Sequence, residues 1–472
     1  VSLADHLSAS PLVAVARRVL PAEGVWIAGG AVRDAALGRD VTDLDLAVAG
    51  DPAAVAKTIA REAGGHAFEL SKEFATWRAV ARDGSWQLDA TALRGETIEA
   101  DLGARDFTVG AVAVPLAGDE PIDPHGGLGD LSRGVLRVVG DRSFAEDPLR
   151  LLRAARLAVD LGLEIDSGTA TLARAEARHL EEAAGERQLA ELRRLIGGPN
   201  PLHGIALLDE LTLTPVVLPE LEALRGVEQG PNHHLDVYGH TLSVLERMLE
   251  VEANLGRFAG ERVAEVRELL AEPLADEMTR GTALRFGALL HDIGKPLTRE
   301  EHEGYVTFIG HDREGAAVVG RICVRLHASR ALTRHLQALT LHHLRLGFMV
   351  QEAPLPPRRI HDYLRTADPV AADVTLLTIA DRLSARGTGP FATEEAVEAH
   401  LALARDMLGP AFEWRRNGPP RPLLRGDEIA GELGVPPGPE LGQLLAELEA
   451  AQYAGEIATR DQAIAHARQI RG

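Results

Sequence analysis

Apolar and polar positions follow two rhythms along this chain, and the change of rhythm divides it. Up to about residue 140, short runs with period two read as strands at 25–27, 44–48, 77–81, 86–90 and 109–114. A helix is expected near 32–37, between the first two strands. From "GDRSFAEDPLRLLRAARLAV" onward the spacing turns helical and stays so. In that segment Leu151, Leu152, Ala155, Ala158 and Val159 share one arc of a helix, while Asp147, Arg150, Arg153 and Arg156 fall on the other. Asp147 before Pro148 reads as an N-cap followed by proline at the first helical position. "GGPNPLHG" at 197, "VEQGPNHH" at 227 and the Pro-rich "RRNGPPRPLLRG" at 415 punctuate the helical blocks. The pattern predicts an α/β head with a small mixed sheet (1–140). A mainly α-helical neck and body (141–226), a second helical domain (227–405) and a helical tail (406–472) follow it.

Composition narrows the class. A chain of 472 residues is too long for one core, and 45% hydrophobic with 25% charged residues is globular. No apolar run is long enough to cross a bilayer, and the first residues lack the order of a signal peptide. One cysteine, Cys323, leaves no intramolecular disulfide and fits a reducing, cytoplasmic setting. A net charge of −20 argues against nonspecific grip on nucleic acid over the whole surface. It leaves room for a local track. Residues 315–346 hold no acid but carry Arg321, Arg325, Arg330, Arg334 and Arg345, a candidate path for an RNA backbone as well as an ordinary solvated helix face.

Candidate chemistry starts at "VWIAGGAVRDAALGRDVTDLDLAV" (25–48). Asp43 and Asp45, two apart on a strand, leave the same face of the sheet. Two such carboxylates suit magnesium, a hard ion bound through one or two carboxylates plus substrate phosphates. Gly29 and Gly30 let backbone approach a phosphate, and Arg33 adds a fixed cation. Singly, each feature is an ordinary turn or strand face; together they point to a nucleoside triphosphate and nucleotidyl transfer. Farther on, Asp147 and Arg150 offer an acceptor and a donor able to satisfy the edge of a base.

With these segments in hand, nearly the whole chain resembles the class II tRNA nucleotidyltransferases, the CCA-adding family of the polymerase-β-like superfamily. "GGAVRD" with "DLDL", "RDFT" at 105, "EDPLR" at 146, "ERQLAEL" at 186 and "LLRGDEIAGELGVPPGPELGQLL" at 423 carry the resemblance in order. It implies that Asp43 and Asp45 hold two Mg2+ ions, while Arg33 and the Gly29 and Gly30 amides take the triphosphate. Arg105 and Asp106 belong to the ribose-sensing motif, with Asp106 at the 2′-hydroxyl. Asp147 and Arg150 would read CTP or ATP, with Arg153 and Arg156 also counted as nucleotide-binding. The tRNA 3′-hydroxyl would attack the α-phosphate and release pyrophosphate. Asp89 is a candidate third carboxylate. Ala104, Gly110 and Leu157 depart from the family pattern. Only residues 95–104, with a helical turn expected at 96–101, separate Thr91 and Arg94 from Arg105. That brevity resembles the CC-adding subgroup, which leaves the terminal A to a separate enzyme.

A second constellation comprises His240, His291-Asp292 in "LLHDIGKP", His311 in "FIGHDREGA" and Asp381 in "IADRLSA". Its order resembles HD-domain metal phosphohydrolases, and the donor set suits Mg, Mn, Ni or Co. His342 and His343 are further candidate ligands. Two other functions compete: an RNA-binding HD phosphohydrolase with an inactive head, and a poly(A) polymerase. The retained "DLDL" speaks against the first, and the lack of a basic-aromatic block after it speaks against the second.

Overall fold

β1 (Val25–Ala28), β2 (Asp43–Val48), β3 (Gly65–Ser71), β4 (Thr76–Ala81), β5 (Gln87–Ala92) and β6 (Ala113–Pro115) make one sheet in the order β3-β4-β5-β2-β1-β6. β2 and β5 run parallel, and the other neighbours are antiparallel. This is the small mixed sheet expected of the head. The computed structural model describes residues 3–72, 75–303, 305–390 and 392–471. It divides into two units, Val1–Glu191 with His203–Val217, and Leu192–Leu202 with Leu218–Gly472.

Alternation builds the core of the first unit. Leu44, Leu46 and Val48 of β2 and Leu88 and Ala90 of β5 point to the face covered by α4 (Pro52–Ala63), whose Val55 and Ile59 meet them. Asp51 caps α4 through a 2.8 Å bond from Ala53 N–H. The helix after β1, Gly30–Ala36, begins two residues earlier than the pattern predicts. On the opposite face a smaller cluster of Ala28, Ala47, Ile98, Leu102, Ala111 and Ala113 covers the β1, β2 and β6 end.

Three local expectations give way to packing. β3 escapes the period-two reading because its larger apolar residues, Phe68 and Leu70, are exposed and little Ala67 faces the core. The strand expected at 109–114 shrinks to β6, since Thr108–Gly110 forms a 3-10 turn. Thr108 is tied down there by Asp130 (2.7 Å) and by the Arg137 carbonyl (2.8 Å). The expected turn at 96–101 lies slightly later, as the helix Ile98–Gly103 capped by Thr97. Two-stranded pieces also interrupt the helical part, at Val135–Leu136 with Glu164–Ile165, Pro273–Ala275 with Met278–Thr279, and Glu300–His302 with Tyr305–Thr307.

Helices Val237–Ala253, Arg280–Leu290, His311–Arg325, Arg330–His342 and Ala371–Ser384 make up most of the second unit's centre. The helix Glu394–Asn417 runs unbroken through residue 406. Three later helices, Gly426–Leu433, Pro439–Tyr453 and Arg460–Arg471, close a small core of Ile429, Leu448, Ala463 and Ala467. Among the described residues no helix is long and apolar enough to cross a membrane.

Candidate functional site

β2 carries Asp43 and Asp45 on the sheet face away from α4. Asp43 is exposed and Asp45 half-buried. Parallel pairing sets Asp45 directly opposite Asp89 on β5. Burial, and then the Asp89 charge, push the Asp45 carboxyl above its ordinary pKa. A cation there would relieve that repulsion, so the donor set fits a divalent metal. Asp89 itself is gripped by Arg78 from β4 through two 2.7 Å bonds, a cation the sequence reading missed. Its signal was the strand alternation that puts Arg78 across from Asp89.

In the chain without nucleotide both glycine amides have partners of their own. Gly29 has φ +68° and ψ −126°, which favours glycine, and a Cβ there would stand 2.6 Å from Arg105 Nη1, so that the guanidinium would have to shift. Its N–H is already bonded to Val112 O (3.2 Å), completing the β1–β6 edge. The Gly30 N–H is hydrogen-bonded to Asp45. Neither amide is therefore free for a phosphate as the chain stands. Arg33 lies beside Gly30 and pairs with Asp34 at 2.9 and 3.0 Å. Arg105 is held by Asp101 (3.1 and 3.0 Å) and donates to Gly110 O (3.3 Å). Asp101 also accepts the Arg94 N–H at 3.1 Å, which pins residues 94–105 into a compact segment.

The helix expected to begin at Asp147 runs Arg150–Leu161. Asp147 still caps the turn before it, accepting from Leu149 N–H at 3.2 Å. Its basic face is not solvated. Arg150 is buried, donating to Ala104 O (2.8 Å), Ser143 Oγ (2.9 Å) and Ser143 O (3.2 Å), and burial pulls its pKa down. Arg156 is buried too, paired with Glu191 and with Asp160 (2.8 Å). Guanidinium groups are tolerated inside only when their donors are met, and here each finds acceptors far away in sequence. Arg153 grips Asp106 Oδ2 at 2.8 and 2.6 Å. Burial pushes the Asp106 carboxyl up, but the Arg153 charge and bonds outweigh it and hold it below the usual range. Asp147 is held by Arg187 at 3.2 and 2.8 Å. Arg187 stands in the quoted "ERQLAEL" segment yet was assigned no role. The departures at Ala104 and Gly110 leave their carbonyls in use, and Leu157 is buried.

In the second unit, six imidazole and carboxylate donors meet. His240, His291 and Asp381 form one group, and Asp292, His311 and His343 a second. Asp292 links them, 3.1 Å from His291 Nε2 and 3.2 Å from His311 Nε2. His291, His311 and His343 direct Nδ1 to the carbonyls of Ala288 (2.9 Å), Phe308 (2.7 Å) and Thr340 (2.6 Å). That fixes the tautomer and aims each Nε2 inward. With Nδ1 turned to the Ala288 carbonyl, buried His291 Nε2 has no proton to give Asp292 3.1 Å away and makes no hydrogen bond. An orphaned nitrogen among carboxylates fits a divalent metal. Lys295, three residues past Asp292, reaches its carboxylate at 2.6 Å and also donates to Gln229 (2.6 Å). His343 joins the cluster, whereas His342 accepts from Arg345 Nε (3.0 Å) instead.

The arginine track sits on two packed helices, His311–Arg325 and Arg330–His342. Arg321, Arg325, Arg330 and Arg334 are all exposed, and Arg325 pairs with Glu220 at 2.6 Å.

The poly A polymerase head domain family matches residues 25–137, the HD domain family 237–386, and the probable RNA and SrmB-binding site of polymerase A 162–224. An A-adding tRNA nucleotidyltransferase of Deinococcus radiodurans is 36% identical over 447 residues, covering 93% of this chain and 94% of the relative. A CC-adding tRNA nucleotidyltransferase of Thermus thermophilus is 33% identical over 453 residues, covering 94% and 93%. A solved structure of the Thermotoga maritima CCA-adding enzyme complexed with tRNA shares the fold. Its TM-score is 0.61 at 19% identity, over 100% of this chain and 99% of that one.

Proposed function

The chain belongs to the tRNA nucleotidyltransferase family, and from that premise we propose that it adds C, and A, from CTP and ATP to the tRNA 3′ end by metal-dependent nucleotidyl transfer. The observation that carries the reading is the Asp43–Asp45 pair on the sheet face beside Arg33, Gly29 and Arg105. Asp43 and Asp45 would hold Mg2+, which when bound neutralises charge on the triphosphate and on the attacking oxygen. Arg33 and Arg105 bind phosphate, exchanging their present carboxylate partners for it. Asp106 meets the ribose. Asp147 and Arg150 present acceptor and donor to the base, Asp147 accepting through lone pairs that Arg187 leaves open and Arg150 exchanging backbone carbonyls for it. The second cluster would hold a divalent metal such as Mg, Mn, Ni or Co through His240, His291, Asp292 and Asp381, with His311 and His343 completing it. Phosphoester hydrolysis is its proposed chemistry. The exposed arginines from Arg321 to Arg334 are the proposed tRNA backbone contacts.

A second reading, that addition stops at CC and a separate enzyme supplies A, is favoured by the pinned 94–105 segment. Arg94 and Arg105 both hold Asp101, which leaves little slack for a lever. The experiment offers tRNA ending before CCA, after C and after CC, each with CTP, ATP or both. Full CCA on all three supports the first reading, and a product ending at CC supports the second. No addition by wild type, or normal addition by the D43N/D45N double variant, overturns both.

A further inference from the structure

Neighbouring strands place four side chains in one row across the open face of the sheet. Phe68 on β3 faces Arg78 on β4, Arg78 faces Asp89 on β5, and Asp89 faces Asp45 on β2. At about 4.8 Å per strand the row spans about 14 Å. Its outer end is apolar and uncovered: Phe68 is 40% and Leu70 45% exposed, on an edge strand. The His66 ring stacks on Phe68, centroids 5.9 Å apart and planes 25° from parallel. The acid of this strand, Glu69, pairs in register with Trp77 and so lies on the other face. Arg78 spends Nε and Nη2 on Asp89, and its Nη1 makes no bond among the described residues. An exposed aromatic pair on a sheet edge is a liability unless a partner covers it.

The reaction proposed above says which partner. Phosphoryl displacement is in line, so the attacking oxygen and the departing pyrophosphate lie on opposite sides of the phosphorus. Gly30 and Arg33 border Asp45 from the β1 side, where the triphosphate is placed. The attacking 3′-hydroxyl then approaches from the β5 side, along the row that leads to Phe68. We propose that His66, Phe68 and Arg78 form a binding site for the single-stranded 3′ end of the RNA, a nucleobase stacking on Phe68 and a phosphate meeting Arg78 Nη1. This rests on the nucleotidyl-transfer reading. Stacking suits the task, because it tolerates any base while the last base of the acceptor changes with each addition.

The test has a binding arm that needs no turnover and a kinetic arm that does. An RNA carrying 5-iodocytidine in its last three positions is irradiated with the full-length protein, and the cross-linked peptide is sequenced. A cross-link at His66 or Phe68 is expected; cross-links only elsewhere overturn the site. In steady state, Phe68→Ala should raise the tRNA KM about tenfold, with kcat and the CTP KM within twofold, and Phe68→Trp should restore it. An unchanged tRNA KM, or rescue by Phe68→Leu as good as by Trp, overturns stacking. Sedimentation of wild type as a dimer that F68A dissociates makes the edge a self-interface and overturns the proposal. Absence of all nucleotide addition by wild type condemns the reaction instead, and leaves the cross-link to judge the site alone.

Discussion

Arg187 holds both carboxylate oxygens of Asp147, at 3.2 and 2.8 Å, across 40 residues of sequence. The residue proposed to read the base thus has its orientation set by the neck segment. Arg187→Ala should therefore loosen nucleotide choice more than it weakens catalysis. Misfit hydrogen bonds of about 1–3 kcal/mol underlie such discrimination. UTP misincorporation should rise about tenfold while the CTP rate stays within threefold, measured on tRNA lacking its 3′ end. Unchanged UTP misincorporation would leave Arg187 a purely structural partner.

Asp101 joins Arg94 to Arg105, and Arg105 stands against Gly29 and near Asp45. Asp101→Asn removes the charge from half-buried bonds worth about 1.5–3 kcal/mol each at most. C addition should slow at least tenfold, tRNA affinity should hold, and limited proteolysis should cut faster within residues 95–104. Equal rates for variant and wild type would show that Arg105 needs no such anchor.

The head carboxylates and the His–Asp cluster lie in separate units, so the chemistry proposed for each should separate. His291→Ala should release the metal bound by the second unit, counted by elemental analysis, and abolish any metal-dependent phosphatase or phosphodiesterase activity. C addition should remain within twofold. Loss of both activities with the fold retained would contradict this independence.

His400 is buried, with Nε2 2.9 Å from Thr378 Oγ1, and burial followed by the Arg382 charge pushes it down to about 4. It is neutral in the folded chain but gains a proton in the unfolded chain below about 6.5. Stability that is full above pH 6.5 therefore falls as the pH drops toward 4. Each such proton contributes a slope of about 1.4 kcal/mol per pH unit. Denaturant titrations of His400→Gln should show a slope shallower by close to one proton across that window. An identical slope would mean that His400 does not titrate on unfolding.

The sequence by itself determined what depends on near neighbours along the chain. Strand alternation put Asp43 and Asp45 on one face, because side chains two apart must project together. The order of five motifs gave the family, and the His, His-Asp and Asp spacing marked the second cluster. Tertiary structure decided everything that depends on which distant residue supplies the opposite charge. Arg150 and Arg156 sit on a polar helical arc by period, yet both are buried, because Ser143, Ala104 and Glu191 bring acceptors to them. His342 and His343 are adjacent and alike in sequence, but only His343 meets Asp292 and His311. A rotation of about 100° per helical residue separates them, and which direction holds the carboxylate is fixed by the packing of other helices. β3 stayed hidden because its large apolar side chains face outward, reversing the pattern by which burial announces a strand.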